Sequence, residues 1–322
     1  MAKPVQLALA SPRGALHMKT SLRWVLIVGL LLPVASHAAE EDKFFHFENK
    51  PKFERNSSDP VLLRYKFKTG QLFKMGIKID VGMLISQGGQ KFNIDQAMDF
   101  DAKGKVTEVD SEGNMSVLVK ITRFRMKLSG LQELNFDSDD DNSPEAFKPL
   151  KAMIDVGIPC RMSPVGELLE TDLEPMRLAV RRAGNAAFDE QMEKSPDKMF
   201  EGAFVYLTKE PIKADESYKA GTMVQDQTKV HMSYRIGSVS GDGRKAVLEP
   251  DARIALNTNA FAGAKVDITK SRFEGWILHD VEKGYATDGE ARMYMFMNIS
   301  ADGQTGTAEI KMKTTMKMTV VE

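Results

Sequence analysis

The sequence is poor in cysteine and histidine and has no long apolar run beyond its first forty residues. Cys160 is the only cysteine. One thiol cannot make an internal disulfide, so stability has to come from a packed core, which a chain of this length can supply. Val156, Ile158 and Met162 share its parity, which reads as a small buried side chain in a strand. Of five histidines, only His46, His231 and His279 follow the first forty residues, far apart in sequence. No phosphate-binding Gly-x-x-x-x-Gly-Lys-Ser/Thr, Gly-x-Gly-x-x-Gly, His-Glu-x-x-His, Cys-x-x-Cys or Gly-x-Ser-x-Gly pattern occurs. The sequence therefore predicts no catalytic residue, no cofactor and no metal site, and it reads as a binding protein rather than an enzyme. Neither charge dominates, with 44 basic and 45 acidic residues. Without a basic stripe, no nucleic-acid partner is expected.

Acidic residues are missing from the beginning of the chain, where Glu40 is the first. Lys19 and Arg23 precede an apolar run from Trp24 to Leu32. Pro33 ends that run, and small residues stand at Ser36 and Ala38. These are the parts of a secretory signal peptide, so residues 1–38 are expected to be removed by cleavage near Ala38. The apolar run is about half the ~20 residues of a membrane-spanning helix. Met18 to Ala38 already forms a complete signal, which leaves Met1 and Met18 as alternative starts. No cysteine follows the cleavage site closely enough to carry a lipid. The expected location is periplasmic or extracellular, with no membrane span in the mature chain.

What the sequence does have is alternation. Residues 39–60 are polar and interrupted by Pro51 and Ser57-Ser58, which reads as a linker whose Phe44, Phe45 and Phe47 could dock on the main body. Residues 61–322 then read as one β-rich domain. Leu63, Tyr65 and Phe67 alternate with cations. Phe73, Met75, Ile77, Ile79, Val81, Met83 and Ile85 share one parity, with Lys74 and Lys78 on the other; seven apolar residues at period two predict a strand. Gly88-Gly89 is a hairpin turn, and Phe92, Ile94, Met98 and Phe100 return along one face toward a turn at Lys103-Gly104. From Met115 to Ile121 the apolar set holds one parity, and from Phe124 to Leu128 the other. One extra residue near Thr122-Arg123 would restore a common face, which predicts a β-bulge.

The middle, residues 143–199, carries the helical signals. They are a segment toward Ile154 broken by Pro149, a capping box at Thr171-Asp172-Leu173-Glu174, and a second helix over Ala186–Lys194. A strand is expected at Phe204 to Leu207. Alternation then resumes. Met293, Met295, Met297 and Ile299 face one way with Tyr294 and Phe296 opposite, so that strand is expected to be covered on both sides. Ile310, Met312, Thr314, Met316, Met318 and Val320 alternate with polar residues. Val106 to Gly113 matches Ile236 to Gly243 in spacing, which raises two related halves, 61–135 and 200–322, around the helical middle. The fold class read from this is β-rich (α+β): a large, curved antiparallel sheet or incomplete β-barrel with a few helices.

Three stretches resemble an exported bacterial family known as domain of unknown function 6263. They are Leu63-Arg64-Tyr65-Lys66-Phe67-Lys68-Thr69-Gly70-Gln71, Val109 to Asn114, and Met162-Ser163-Pro164-Val165-Gly166-Glu167. The lysine–methionine alternation at the C-terminus belongs with them. The resemblance implies secretion and a β-rich fold, and it implies no active site.

Two features bear on function. Asp137, Asp139 and Asp141 copy the first ligand positions of a calcium loop, but Asn142 replaces the turn glycine and Lys148 the bidentate glutamate, so the run reads as a solvated loop. Methionine is abundant, with 20 in the chain, and it concentrates on strands. Methionine is flexible and polarisable and suits surfaces that adapt to apolar partners. The ligand-face candidates are Phe73, Met75, Met83, Met98, Met293, Met295, Met297, Met312 and Met316. The leading expectation is an exported, non-enzymatic binding protein for an apolar ligand, such as a lipid or lipoprotein-like molecule. The alternatives are an envelope or extracellular protein-interaction or structural module, and a hydrolase with a carboxylate site outside known motifs.

Overall fold

The computed structural model describes residues 42–54, 57–130, 133–184, 204–225, 228–256, 264–301 and 304–321. By its internal contacts the chain falls into two units, Met1–Leu32 and Pro33–Glu322. The first unit, and with it the expected signal peptide, lies outside the described residues, as does the helix expected over Ala186–Lys194.

The predicted alternation becomes a twelve-stranded antiparallel sheet. In chain order the elements are β1 (Leu72–Gln87), β2 (Gln90–Val109), β3 (Met115–Ser129), β4 (Leu134–Asp137), α1 (Lys148–Ala152), β5 (Ile158–Met162), β6 (Leu168–Thr171), α2 (Glu174–Arg182), β7 (Ser217–Gln225), β8 (Thr228–Val239), β9 (Lys245–Leu256), β10 (Ala264–Asp280), β11 (Tyr285–Ala301) and β12 (Gln304–Val321). In space the order is β7-β8-β9-β10-β11-β12-β1-β2-β3-β5-β6, with β4 paired to β3. The first and last long strands lie side by side at the centre, and the sheet ends at β6 and β7 without closing into a barrel. Among the described residues no helix is long and apolar enough to cross a membrane.

The bulge falls where the parity switch put it. Asp101 pairs with Arg123 and Ala102 with Ile121, so Thr122 is the extra residue, and Ile121 and Phe124 share a face. The turn expected at Lys103-Gly104 does not form, because β2 runs through it to Val109. Glycine is needed there for another reason: a Cβ at Gly104 would stand 2.0 Å from Phe73 Cζ. The glycine leaves room for an aromatic ring on the opposing strand.

Leu63, Tyr65 and Phe67 are buried as their alternation predicts, but they form no strand. The segment is extended and threads between two turns, with Tyr65 N–H donating to Pro164 O at 2.8 Å and Lys66 N–H to Gly284 O at 3.0 Å. Only Val61 makes a ladder contact, an isolated bridge to Ile212. Phe204 to Leu207 is likewise not a strand; Tyr65 Oη accepts from Val205 N–H at 3.1 Å. The two segments supply the filling of the main core. Tyr65 and Phe67 stack at 6.0 Å, Phe67 stacks on Phe73 at 5.3 Å and on Tyr285 at 5.8 Å. That core draws buried residues from β1, β2, β3, β5, α2, β8, β9, β11 and β12. A smaller cluster of Met98, Phe124, Met126, Phe136 and Phe147 lies where β4 and α1 cover β2 and β3.

The helices are short. Pro149 does not split a helix but sits in the first turn of α1, after a 3₁₀ turn over Glu145–Phe147, where its missing N–H costs nothing. The expected Thr171 cap is absent because Thr171 ends β6. Asp172 does the work instead, its Oδ1 accepting from Glu174 N–H at 2.9 Å. Met176 and Val180 bury one face of α2, and Gly184 at φ +80° ends the segment.

The segments entering β1 and β7 make the same turn. Lys68 N–H donates to Gln71 Oε1 at 2.9 Å, and Lys213 N–H to Glu216 Oε2 at 2.8 Å. Gly70 N–H donates to Val106 O at 2.8 Å, and Asp215 N–H to Ile236 O at 2.6 Å. Register shifts follow directly after Val106 in β2 and after Ile236 in β8.

Candidate functional site

The ladder registers define the two faces of the sheet. On one, apolar side chains stand in rows across neighbouring strands. One row is Leu128–Gln96–Val81–Met312–Met293. The next runs Ile94–Met83–Ile310–Met295, and beyond it lies Phe92–Ile85–Ala308–Met297. All nine ligand-face candidates fall on this face, as their parity required.

The structure separates them by environment. Phe73 and Met75 belong to the main core, and Met98 to the smaller cluster. Met295 and Met297 are buried. Met83, Met293, Met312 and Met316 are half-buried, as are Ile79 and Ile85. Beyond the core the accessible side chains of these rows are thus Met83 and Ile85 of β1, Met293 of β11 and Met312 of β12, set among buried Val81, Ala308, Ile310, Met295 and Met297. Gln96 of β2 does not follow the alternation of its strand, where Phe92, Ile94, Met98 and Phe100 are apolar. It is buried, and its Nε2 donates to Met98 Sδ at 3.2 Å and Met126 Sδ at 3.7 Å. Thioethers are weak acceptors.

The opposite face is charged. Lys78 pairs with Asp99 at 3.7 Å and Arg125 with the same carboxylate at 3.2 Å. Residues 42–54 dock on this face over β10 and β11. Phe45 packs edge-on to Tyr294 at 6.1 Å, the Arg272 guanidinium lies 4.2 Å from the Phe45 ring, and Arg292 lies 4.9 Å from the Phe47 ring. Tyr294 and Met295 are both fully buried, so β11 is covered on its two sides as expected. Under the arm, Glu290 is buried and meets Arg292 at 2.5 Å and Lys313 at 3.4 Å. Nearby, Asn49, Pro51, Trp276 and Thr315 line a cleft of about 310 Å³. A second cleft of about 390 Å³ has Asp80 and Asp95 together with Lys127, Lys311 and Lys313 in its walls.

Other candidates resolve into structural roles. Asp137 meets Arg123 at 2.6 Å, Asp139 meets it at 3.1 Å, and Asp141 meets Lys151 at 3.1 Å. The acidic loop thus turns its first carboxylates to cations of its own chain. Among the described residues no group of three or more His, Cys, Asp or Glu is placed to hold a metal ion. Cys160 is buried, and burial pushes its thiol pKa up, which disfavours the reactive thiolate. His279 is fully buried, and among the described residues neither ring nitrogen has a partner at full hydrogen-bond geometry. Burial lowers its pKa to about 4, Lys66 adds to the depression, and the Arg64 backbone and Asp280 pull the other way.

No family model matches the chain, and no curated protein matches it. Among solved structures, it is similar to lipovitellin, from a study of lipid–protein interactions, at 9% identity and TM-score 0.44. The match covers 80% of this chain and 26% of that one, so this chain spans about a quarter of lipovitellin. It is also similar to DynF of the dynemicin biosynthesis pathway of Micromonospora chersina, at 9% identity and TM-score 0.21, covering 84% of this chain and 90% of that one. An outer membrane channel from Pseudomonas putida F1 matches at 6% identity and TM-score 0.25, covering 79% and 97%.

Proposed function

We propose that this is an exported, non-enzymatic binding protein that holds an apolar ligand against the methionine- and isoleucine-rich face of its sheet. One observation carries the reading. The rows through Val81, Met83 and Ile85 continue the apolar face past the main core, and Met83, Ile85, Met293 and Met312 remain half-buried there among buried neighbours. Apolar side chains grouped on one face and left partly accessible are a feature of binding surfaces. The composition of this face favours a flexible aliphatic partner: long, unbranched methionine side chains re-pack at little cost around ligands of varying shape. The ligand is a lipid or a lipid-like molecule, and export places the protein where such molecules need a carrier between membranes.

The experiment is native mass spectrometry of protein purified without detergent from the export compartment. Adducts of lipid mass, removed by organic extraction and restored by adding the extract back, are the expected result. A single apo mass, unchanged on incubation with the extract, would remove the proposal.

A further inference from the structure

We infer that one end of the charged face, where β12, β1, β2 and β3 run side by side, is a docking surface for an anionic membrane. A row of lysines meets the lipid phosphates there, and exposed Leu72 and Val321 enter the boundary between headgroups and acyl chains. This surface lies on the opposite side of the sheet from the methionine face and does not depend on what that face holds.

Two adjacent ladder rows build it. One runs Thr319–Lys74–Lys103–Lys120 and the other Val321–Leu72–Lys105–Leu118, each across β12, β1, β2 and β3. Three lysines thus stand opposite one another on neighbouring strands, with a fourth, Lys105, beside them. Like charges in that relation are destabilising, and none of the four is in an ion pair with a described residue. The acids of β2 on this face stand one row further out, and each has a cation in its own row. Asp101 is opposite Arg123, and Glu108 is in line with Ser116 and Arg161. The chain as a whole is balanced, with 44 basic and 45 acidic residues, so the lysine row is a local concentration of charge and not the mark of a basic protein. An anionic surface supplies the missing counter-charges. The apolar side chains select which surface. The described residues leave five large apolar side chains exposed, and two of them, Leu72 at 46% and Val321 at 41%, are ladder partners here. Half-buried Leu118 extends their row. Single exposed apolar residues are ordinary, but a contiguous pair beside uncompensated lysines fits a membrane interface. Lysine stems lie along apolar surface while their ammonium groups reach phosphates. A polyanion without acyl chains would meet the lysines and leave the apolar pair in water.

The test is flotation of the protein, purified from the export compartment, with vesicles of phosphatidylcholine alone or mixed with phosphatidylglycerol. Wild type is expected to float with the mixed vesicles at low salt, to stay unbound with phosphatidylcholine alone, and to be released as ionic strength rises. One lysine near an anionic surface supplies about a fivefold gain in affinity. Lys74→Gln/Lys103→Gln should therefore bind the mixed vesicles about twenty- to thirtyfold more weakly. Relief of the like-charge contact should leave this variant at least as resistant to thermal unfolding as wild type, which shows that it is folded. Lys91→Gln/Lys265→Gln removes the same charge from exposed positions near the starts of β2 and β10 and should bind like wild type. Leu72→Ser/Val321→Ser should weaken vesicle binding severalfold and leave its salt dependence unchanged. No binding to mixed vesicles, equal binding to both compositions, equal losses in the two lysine variants, full affinity in Leu72→Ser/Val321→Ser, or binding to soluble polyglutamate in place of vesicles would each overturn the membrane assignment. None of these results would touch the apolar-ligand reading.

Discussion

Phe73 and Gly104 face each other across β1 and β2 so closely that the ring occupies the place of a Cβ, 2.0 Å from where it would be built. In an ordinary strand, replacing glycine by alanine is favourable by roughly 0.5–1 kcal/mol because it reduces backbone entropy. Here the sign reverses. Gly104→Ala is expected to destabilise by about 2 kcal/mol through overpacking. Phe73→Leu should absorb most of that loss, so that the double variant is little worse than Phe73→Leu alone. Urea denaturation of the four proteins measures the coupling; additive losses would show that the ring is not what excludes the methyl group.

Acid should weaken the core through His279. Its folded pKa, about 4, lies below the unfolded value of about 6.5. The unfolded chain therefore binds the proton first as pH falls. The stability contributed by the neutral ring is complete above about pH 6.5 and is lost on the way down to about pH 4, on the order of 3 kcal/mol in all. His279→Leu should flatten stability between pH 6.5 and 5, a window above most carboxylate titrations. Denaturation midpoints at pH 7, 6 and 5 measure this, and parallel pH curves for the two proteins would contradict it.

Asp215 and Gly70 occupy matching positions in the two turns, at φ +66° and φ +86°. A residue with a Cβ is disfavoured in this region and glycine is not. Asp215→Gly should therefore be stabilising or neutral, by up to about 1 kcal/mol, while Gly70→Asp should cost a similar amount. Thermal unfolding of both variants decides. A loss in Asp215→Gly would mean that its ion pair with Arg235, at 3.3 Å and well exposed, outweighs the backbone term.

The arm should come loose when its anchor is cut. Phe45 is buried against Tyr294 and under Arg272. Phe45→Ala is expected to free residues 42–54 for proteolysis at a cost of about 2–3 kcal/mol, at the low end for a buried phenylalanine because the arm can detach without opening the core. Limited digestion followed by mass determination of the new N-terminus reads this out. Protection equal to wild type would place the anchoring elsewhere.

The sheet was legible in the sequence wherever one face is buried. The period-two runs of β1, β2 and β12 gave their faces correctly, and the parity switch at Thr122 located the bulge, because side-chain direction follows register residue by residue. Local signals failed where distant contacts took over. Gly104 looked like a turn, although its partner is a ring on another strand. Leu63 to Phe67 looked like a strand, although its backbone partners are turns far away in sequence. Thr171 looked like a helix cap, but strand pairing with Cys160 holds it in β6. Gln96 was visible as the missing apolar residue between Ile94 and Met98, a gap that only a known register turns into a position on the face. That Phe44, Phe45 and Phe47 dock was foreseeable from their apolar character; that Tyr294 and two arginines receive them was not.

The most direct measurement of the central claim is the affinity of a neutral fluorescent reporter in two charge variants of β12, one on each face of the sheet. Met312→Glu puts a carboxylate on the apolar face, and Thr315→Glu puts one on the charged face of the same strand. N-phenyl-1-naphthylamine should bind wild type and Thr315→Glu alike, and Met312→Glu at least about tenfold more weakly, since the dye would then have to desolvate a charge. Equal binding by all three proteins, or a loss confined to Thr315→Glu, would contradict a ligand site on the methionine face.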